Sequence, residues 1–256
     1  MSRPWIDFIS VDDMPLEEFS NSIGALRGRT LARGTTLNEG IDSKIIGPGR
    51  TLVLEFDQST ILAEHTSPVH IRAFVWKGEV LLDGQPHRSG TYIEIKMGHR
   101  VPTITCESSA RVFVTYDGSY EIGHNARLGS DYFASNHVDV EWGPPVVTEL
   151  PGGSARKSIC DIGERGAGIL GVLPEWSSPF YEWHTFSEEI FILRGDMHAS
   201  FGTMREGDYL SHPGGPGTIH GPSFSPNGAL MLVLREGPVG NTYTPAEADE
   251  IAQSRS

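Results

Sequence analysis

Four residues in the last third of the chain have the types and spacing to hold a metal ion. Glu182-Trp-His184-Thr-Phe-Ser-Glu188 sets two carboxylates and an imidazole at i, i+2 and i+6. In an extended strand alternate side chains share a face, so Glu182 and His184 point the same way, and Glu188 joins them if the strand continues. Downstream, the run Gly207-Asp-Tyr-Leu-Ser-His212-Pro213-Gly-Gly-Pro-Gly-Thr-Ile-His220 ends a Pro/Gly-rich turn on a histidine. That histidine could bring a fourth ligand from a neighbouring strand. Imidazole and carboxylate together suit a borderline divalent ion, and iron, zinc and manganese all fall within that chemistry. Two carboxylates facing a divalent ion give a neutral inner shell. A competing reading pairs Glu182 with an arginine and leaves a two-histidine, one-carboxylate set. A blander one makes His184 and His220 structural histidines.

The neighbours of these four residues divide by parity. Glu189 has the opposite parity to Glu188 and is expected to face out. His212 either lines the pocket as a general base or sits on the barrel surface, and the surface is the expectation. His198 reads as a strand residue without a special role. Tyr181, Trp183 and Phe186 could flank a flat substrate, although aromatic residues in a β protein are most often core.

The elements that must position these groups read as strands. Short apolar or alternating runs bounded by Gly, Pro, Asn and Asp recur at Thr51–Phe56, Arg72–Trp76, Tyr92–Ile95, Arg111–Tyr116, Ile169–Leu173, Glu189–Leu193 and Ala229–Leu234. Two helices are predicted. One spans Met14–Leu26 after the cap residue Asp13. The other spans Pro245–Gln253 after Thr244, with Glu247 completing a capping box.

An internal repeat organises the strands. Lys77-Gly78 matches Arg194-Gly195 and Gly90-Thr-Tyr-Ile matches Gly207-Asp-Tyr-Leu, both at an offset of 117. Ala110-Arg-Val-Phe-Val matches Ala229-Leu-Met-Leu-Val at an offset of 119. Two similar β domains follow, with a boundary in the polar segment near Ser119–Pro145. The expected division is an N-terminal extension over 1–30, a first barrel over 31–134 and a second over 135–256. At these offsets Glu182 maps to His65, His184 to Ser67, Glu188 to Ile71 and His220 to Val101. The first copy is therefore expected to hold no metal, which gives one ion per chain. His70 and His99 are close enough in sequence to be considered as a separate site.

The segment over about 180–235 resembles the cupin motifs. His184, Glu188 and Gly195 fit the second histidine, the glutamate and the closing glycine of H-x-H-x3-E-x6-G. Gly207 to His220 is similar to G-x5-P-x-G-x2-H with two extra residues before the histidine. The departure is Glu182, which stands where the motif has its first histidine. The resemblance extends to the cupin-fold domains of zinc-binding anti-sigma factors and to acetylacetone-cleaving dioxygenases. It implies an all-β chain of two tandem jelly-roll barrels with short terminal helices. It also implies a non-haem Fe(II) dioxygenase of a small dicarbonyl or phenolic compound. A redox-neutral Zn or Mn isomerase, lyase or cyclase is the first alternative and a metal- or ligand-sensing module the second.

Bulk composition limits the partners. Lys and Arg total 20 against 33 Asp and Glu, a net charge of −13, and the basic residues are scattered. A polyanionic duplex or an anionic membrane surface would be repelled. A small-molecule substrate is the expected partner, and a homodimer the expected assembly because open sheet edges tend to pair. Gly 30 and Pro 17 fit a turn-rich β protein. With only Cys106 and Cys160, and neither a signal-peptide pattern nor a long apolar run, a cytoplasmic setting is expected.

Overall fold

The structure is a computed structural model and describes residues 4–21, 24–33, 50–67, 69–117, 132–146 and 150–254. The chain is all-β, with the sheets of a jelly roll and one short helix, Ala248–Ser254. It divides into two compact units. The first contains Asp13–Asp139, and the second contains Val140–Ser256 together with Pro4–Asp12.

In the first unit the main antiparallel sheet runs in the order Phe133–Asn136, Thr91–Ile95, His70–Leu82, Ser109–Asp117, Arg50–Asp57, Gly24–Arg33 and Glu17–Asn21. Its core holds Phe19, Leu54, Ile71, Ile93, Ile95, Val101 and Val112. In the second unit the order is Ile6–Ser10, Asp208–His212, Ser187–Ala199, Ala229–Glu236, Arg165–Val172 and Ser154–Ile162. The core there holds Trp176, Ile192, Met197, Met204, Leu210 and Met231. Residues i and i+2 of these strands face the same side, so each inward row is a cross-strand series of side chains.

The long central strands bend where a glycine is needed. Gly78 has φ +77° and Gly195 φ +80°. A Cβ would lie 2.0 Å from the carbonyl oxygen of Ser109 in one case and of Gly228 in the other. Only glycine combines that left-handed backbone with so close a neighbouring strand. The two positions are related by the repeat offset of 117.

The stretch Met14–Leu26 is a β-ribbon and not the helix that its start signals predict. Glu17–Asn21 runs antiparallel to Gly24–Arg33, with Phe19 opposite Leu26. A glycine inside a helix costs roughly 1 kcal/mol relative to alanine, and the segment carries Gly24, with Gly28 two residues past its end. Gly28 instead lets the ribbon lie on the Arg50–Asp57 strand, where an added Cβ would come within 2.9 Å of Leu54 Cδ2. The C-terminal helix starts at Ala248, later than expected, because Thr244 and Pro245 finish the Asn241–Pro245 strand. Neither Cys106 nor Cys160 is in a disulfide. Among the described residues no helix is long and apolar enough to cross a membrane.

Candidate metal centre

His184 and Glu188 come from two different strands. Phe180–His184 pairs with Asn241–Pro245, and the chain turns through Thr185 and Phe186 before Ser187–Ala199 begins. The turn keeps both side chains inward, with His184 Nε2 lying 3.6 Å from Glu188 Oε2. His220 reaches the same place from the opposite side. Its backbone exchanges two hydrogen bonds with Glu182, N–H to O at 2.8 and 2.9 Å. His212 ends the Asp208–His212 strand directly across from Glu188.

These placements gather His184, Glu188, His212 and His220, with one candidate ligand atom from each lying within 4.8 Å of the others. The structure therefore brings together three of the four expected ligands and adds His212. The expected surface position of His212 is incorrect, because it is 1% exposed and its ring stacks on Trp5 at 4.2 Å between centroids. Direct pairing with inward-facing Glu188 is the physical reason.

Glu182 lies outside the 4.8 Å set but lines the same cavity. Its Oε1 is 3.1 Å from His220 Nε2, and Asn241 Nδ2 donates to its Oε2 at 3.4 Å. Burial raises the Glu182 pKa, but hydrogen bonding from His220 and Tyr243 and the charge of His220 outweigh it, so the carboxyl is ionised. Burial lowers the His220 pKa, and its hydrogen bond and attraction to Glu182 more than reverse that. His212 is pushed down to about 3, by burial first and by the neighbouring His220 and His184 second. Its ring is thus neutral over the ordinary pH range.

The remaining ring atoms are arranged for ligation. A carbonyl oxygen can only accept, so His184 donates its Nδ1–H to Phe186 O at 2.6 Å and His220 donates its own to Thr218 O at 3.1 Å. The contact to Phe186 leaves His184 Nε2 facing the cavity as a free lone pair, the usual way a backbone carbonyl fixes a ligating tautomer. His220 Nε2 instead faces Glu182 Oε1 at 3.1 Å, so its ligation would exchange that hydrogen bond for the ion. His184 Nε2 and both ring nitrogens of His212 are buried without a hydrogen-bond partner. Each such orphan costs about 1–3 kcal/mol, and a divalent ion among them would remove that cost for His184 Nε2 and for one nitrogen of His212. The residues present fit a divalent metal.

The cavity beside the cluster has a volume of about 110 Å³ and mostly apolar walls, including Ile190, Met197, Phe201, Met204 and Leu210. Phe186 lines it and stacks on His184 at 4.2 Å, whereas Tyr181 and Trp183 are not among its lining residues. They alternate with Glu182 and His184 along the strand, which turns them to its other side. Glu189 does point to the opposite face of its strand, yet it is buried there and accepts a 2.6 Å hydrogen bond from Tyr209 Oη. His198 lies in its strand beside Phe224.

In the first unit the corresponding positions hold other chemistry. Ser67 Oγ donates to Val69 O at 2.6 Å, Ile71 and Val101 belong to the apolar core, and His65 Nδ1 contacts Ala63 O. His70 is buried against Glu94 at 2.9 Å, while His99 is exposed, so these two are not brought together.

Solved structures with this architecture have the cupin fold. A “putative dioxygenase” from Nostoc punctiforme is 16% identical, with a TM-score of 0.76 over 94% of this chain and 86% of that one. A “putative glyoxylate induced protein” from Pseudomonas aeruginosa is 15% identical, with a TM-score of 0.65 over 97% and 95%. A variant of oxalate decarboxylase from Bacillus subtilis is 12% identical, with a TM-score of 0.56 over 92% and 78%. No protein-family model matches the sequence, and neither does any curated protein. The class defined here is therefore the cupin fold carrying a His/Glu cluster of metal-binding type.

Proposed function

We propose that the chain is a metal-dependent cupin enzyme acting on a small organic substrate, with its two units as tandem cupin barrels. The observation that carries this reading is the convergence of His184, Glu188, His212 and His220 within 4.8 Å, with buried ring nitrogens unpartnered beside a largely apolar cavity. A purely structural cluster would satisfy those nitrogens internally. The ligand set proposed is these four residues, with Glu182 placed against His220.

A divalent ion bound there supplies Lewis acidity, and iron in particular supplies an O2 site. The protein's own groups do the rest. The Phe186 carbonyl holds His184 in the ligating tautomer, and the Thr218 carbonyl orients the His220 ring toward Glu182 and the cavity. Ile190, Met197 and Met204 exclude water and pack on the substrate's carbon skeleton. Glu182 is an ionised carboxylate on the cavity wall, able to accept a proton at its carboxylate from an acidic C–H or O–H of the substrate.

The finer reading is non-haem Fe(II) dioxygenation of a dicarbonyl or phenolic compound, supported by likeness in fold to the “putative dioxygenase”. A redox-neutral reaction with Zn or Mn is supported by Glu182, because proton transfer needs such a group whether or not O2 takes part. The test is metal analysis after mild purification, followed by anaerobic titration of the Fe(II) protein with β-dicarbonyl and ortho-oxygenated aromatic compounds in an oxygen electrode. Stoichiometric O2 uptake is the expected result. Turnover without O2 uptake moves the assignment to the redox-neutral class, and absence of any bound divalent metal overturns the enzyme reading.

A further inference from the structure

A second, smaller cavity of about 60 Å³ adjoins the first, and Leu150, Leu170, Phe186 and Glu188 line both. The two therefore share a wall or run together around Glu188. What distinguishes the second is a pair of guanidiniums, Arg156 and Arg235. Arg235 is the cross-strand partner of Glu188. Paired residues on neighbouring strands lie about 5 Å apart at Cα, so the guanidinium starts one strand away from the metal cluster.

The interior is shaped to admit these two side chains. On the Arg165–Val172 strand the positions facing them are Gly166 and Gly168. A Cβ at Gly166 would come within 2.9 Å of Arg235 Nη2, and one at Gly168 within 2.7 Å of Arg156 Nε. The two arginines share Asp161, which receives Arg156 Nη1 and Nη2 at 3.1 Å each and has Arg235 Nη2 at 3.6 Å. Arg235 Nη1 donates to the carbonyls of Glu164 and Gly237 at 3.1 and 3.0 Å. Its Nε is buried and has no hydrogen-bond partner. Arg156 also donates to Ser158 Oγ.

The protein's own carboxylates favour one guanidinium over the other. Asp161 hydrogen-bonds Arg156, but it stands 3.6 Å from Arg235 Nη2, beyond hydrogen-bonding distance. Among the described residues no carboxylate hydrogen-bonds Arg235, whose side chain lines the cavity beside Glu188. An anion entering that cavity would meet its charge.

We propose that Arg235, backed by Arg156, is an anion subsite of the metal cavity, and that the substrate is a small monocarboxylic acid. Its chelating oxygens face His184, Glu188, His212 and His220, and its carboxylate meets the Arg235 guanidinium. This rests on the enzyme reading of the metal cluster and adds the charge and length of the substrate. The spacing of one strand between Glu188 and Arg235 favours an acid whose carboxylate lies one or two carbons from the chelating group. Arg235 is a specificity-determining residue in this arrangement.

Two probes separate the subsite from the metal site: pentane-2,4-dione and its carboxylated analogue 4,6-dioxoheptanoate. Both chelate through the same dicarbonyl, and only the second carries a carboxylate, set two methylenes away from it. Binding is measured by calorimetry on the Zn(II)-loaded full chain, where no redox chemistry intervenes. The acid is expected to bind at least tenfold tighter than the neutral diketone. Arg235→Gln should erase that preference, bringing the acid's affinity down to that of the diketone measured on the same zinc-loaded variant. Equal binding of the two probes by the wild-type chain, or a preference that survives Arg235→Gln, overturns the subsite alone. Zinc binding without affinity for either probe overturns both the subsite and the enzyme reading. If Arg235→Gln fails to fold, the wild-type comparison of the two probes still decides.

Discussion

The inward row next to the metal cluster can be read twice in this chain. In the second unit it runs His212, Glu188, Arg235 across three strands. In the first unit the same pairings give Ile95, Ile71, Tyr116. The facing pair Glu182 and His220 likewise corresponds to His65 and Val101, bridged in the same antiparallel manner. Backbone register is thus kept pair for pair, while the side chains change from ligands and charges to a core. Ile71, Ile95 and Val101 are 9%, 3% and 2% exposed, and burial raises the pKa of Tyr116. The comparison teaches that the β framework carries no requirement for metal. One framework closes on an apolar filling, and the other closes on polar groups that the proposed ion would complete.

The contrast breaks most visibly at the histidines. His184→Ala, His212→Ala and His220→Ala should each lower metal affinity at least roughly 100-fold, above the effect usual for groups that only support a ligand. Metal analysis and chelator competition measure it. Loss from the second unit should leave about one equivalent fewer per chain, with no metal left behind in the first. Unchanged affinity in the His212 variant would return that residue to a packing role.

A smaller effect is expected in the reverse direction. Ile71→Glu places the Glu188 side chain at its counterpart in the first unit, where Val101 and Ser67 offer no ligand. A carboxylate buried there without partners should cost about 2 kcal/mol of stability, read from urea unfolding of the first transition. Gain of a second bound ion instead would show the first framework to be one substitution from a metal site. Smallest is Glu182→Gln, which keeps the shape and removes the charge beside His220. About tenfold weaker metal binding is expected from a group that orients a ligand. A fall as large as that of His184→Ala would make Glu182 a ligand itself.

Much of this was legible from glycines and motif spacing. Gly78 and Gly195 mark the same bend in each unit, and the spacing of His184, Glu188 and His220 identified three members of the cluster. His212 was harder to place because its direction depends on which residue of the Asp208–His212 strand faces Glu188. The repeat did contain that signal, since His212 aligns with Ile95, a core residue by its own alternating run. The Met14–Leu26 segment misled because local start signals favour a helix, while pairing between Glu17–Asn21 and Gly24–Arg33, itself laid on the Arg50–Asp57 strand, decides the outcome. Arg156 and Arg235 carried no motif at all. Their meaning comes from Gly166 and Gly168 opposite, a relation that only the folded sheet displays.

The strand Ile6–Ser10 bears on how the metal site is put together. It pairs with Asp208–His212, and Trp5 lies on the His212 ring. The segment that closes the cluster is thus made some 200 residues before the histidine it covers, and it must be held in reserve until the second unit exists. A fragment cut at residue 140 would present an unpaired sheet edge and a histidine open to water. Assembly of the candidate centre is in this sense a late, long-range event, and a bulky group attached near Trp5 would reach the His212 ring although some 200 residues separate the two in sequence.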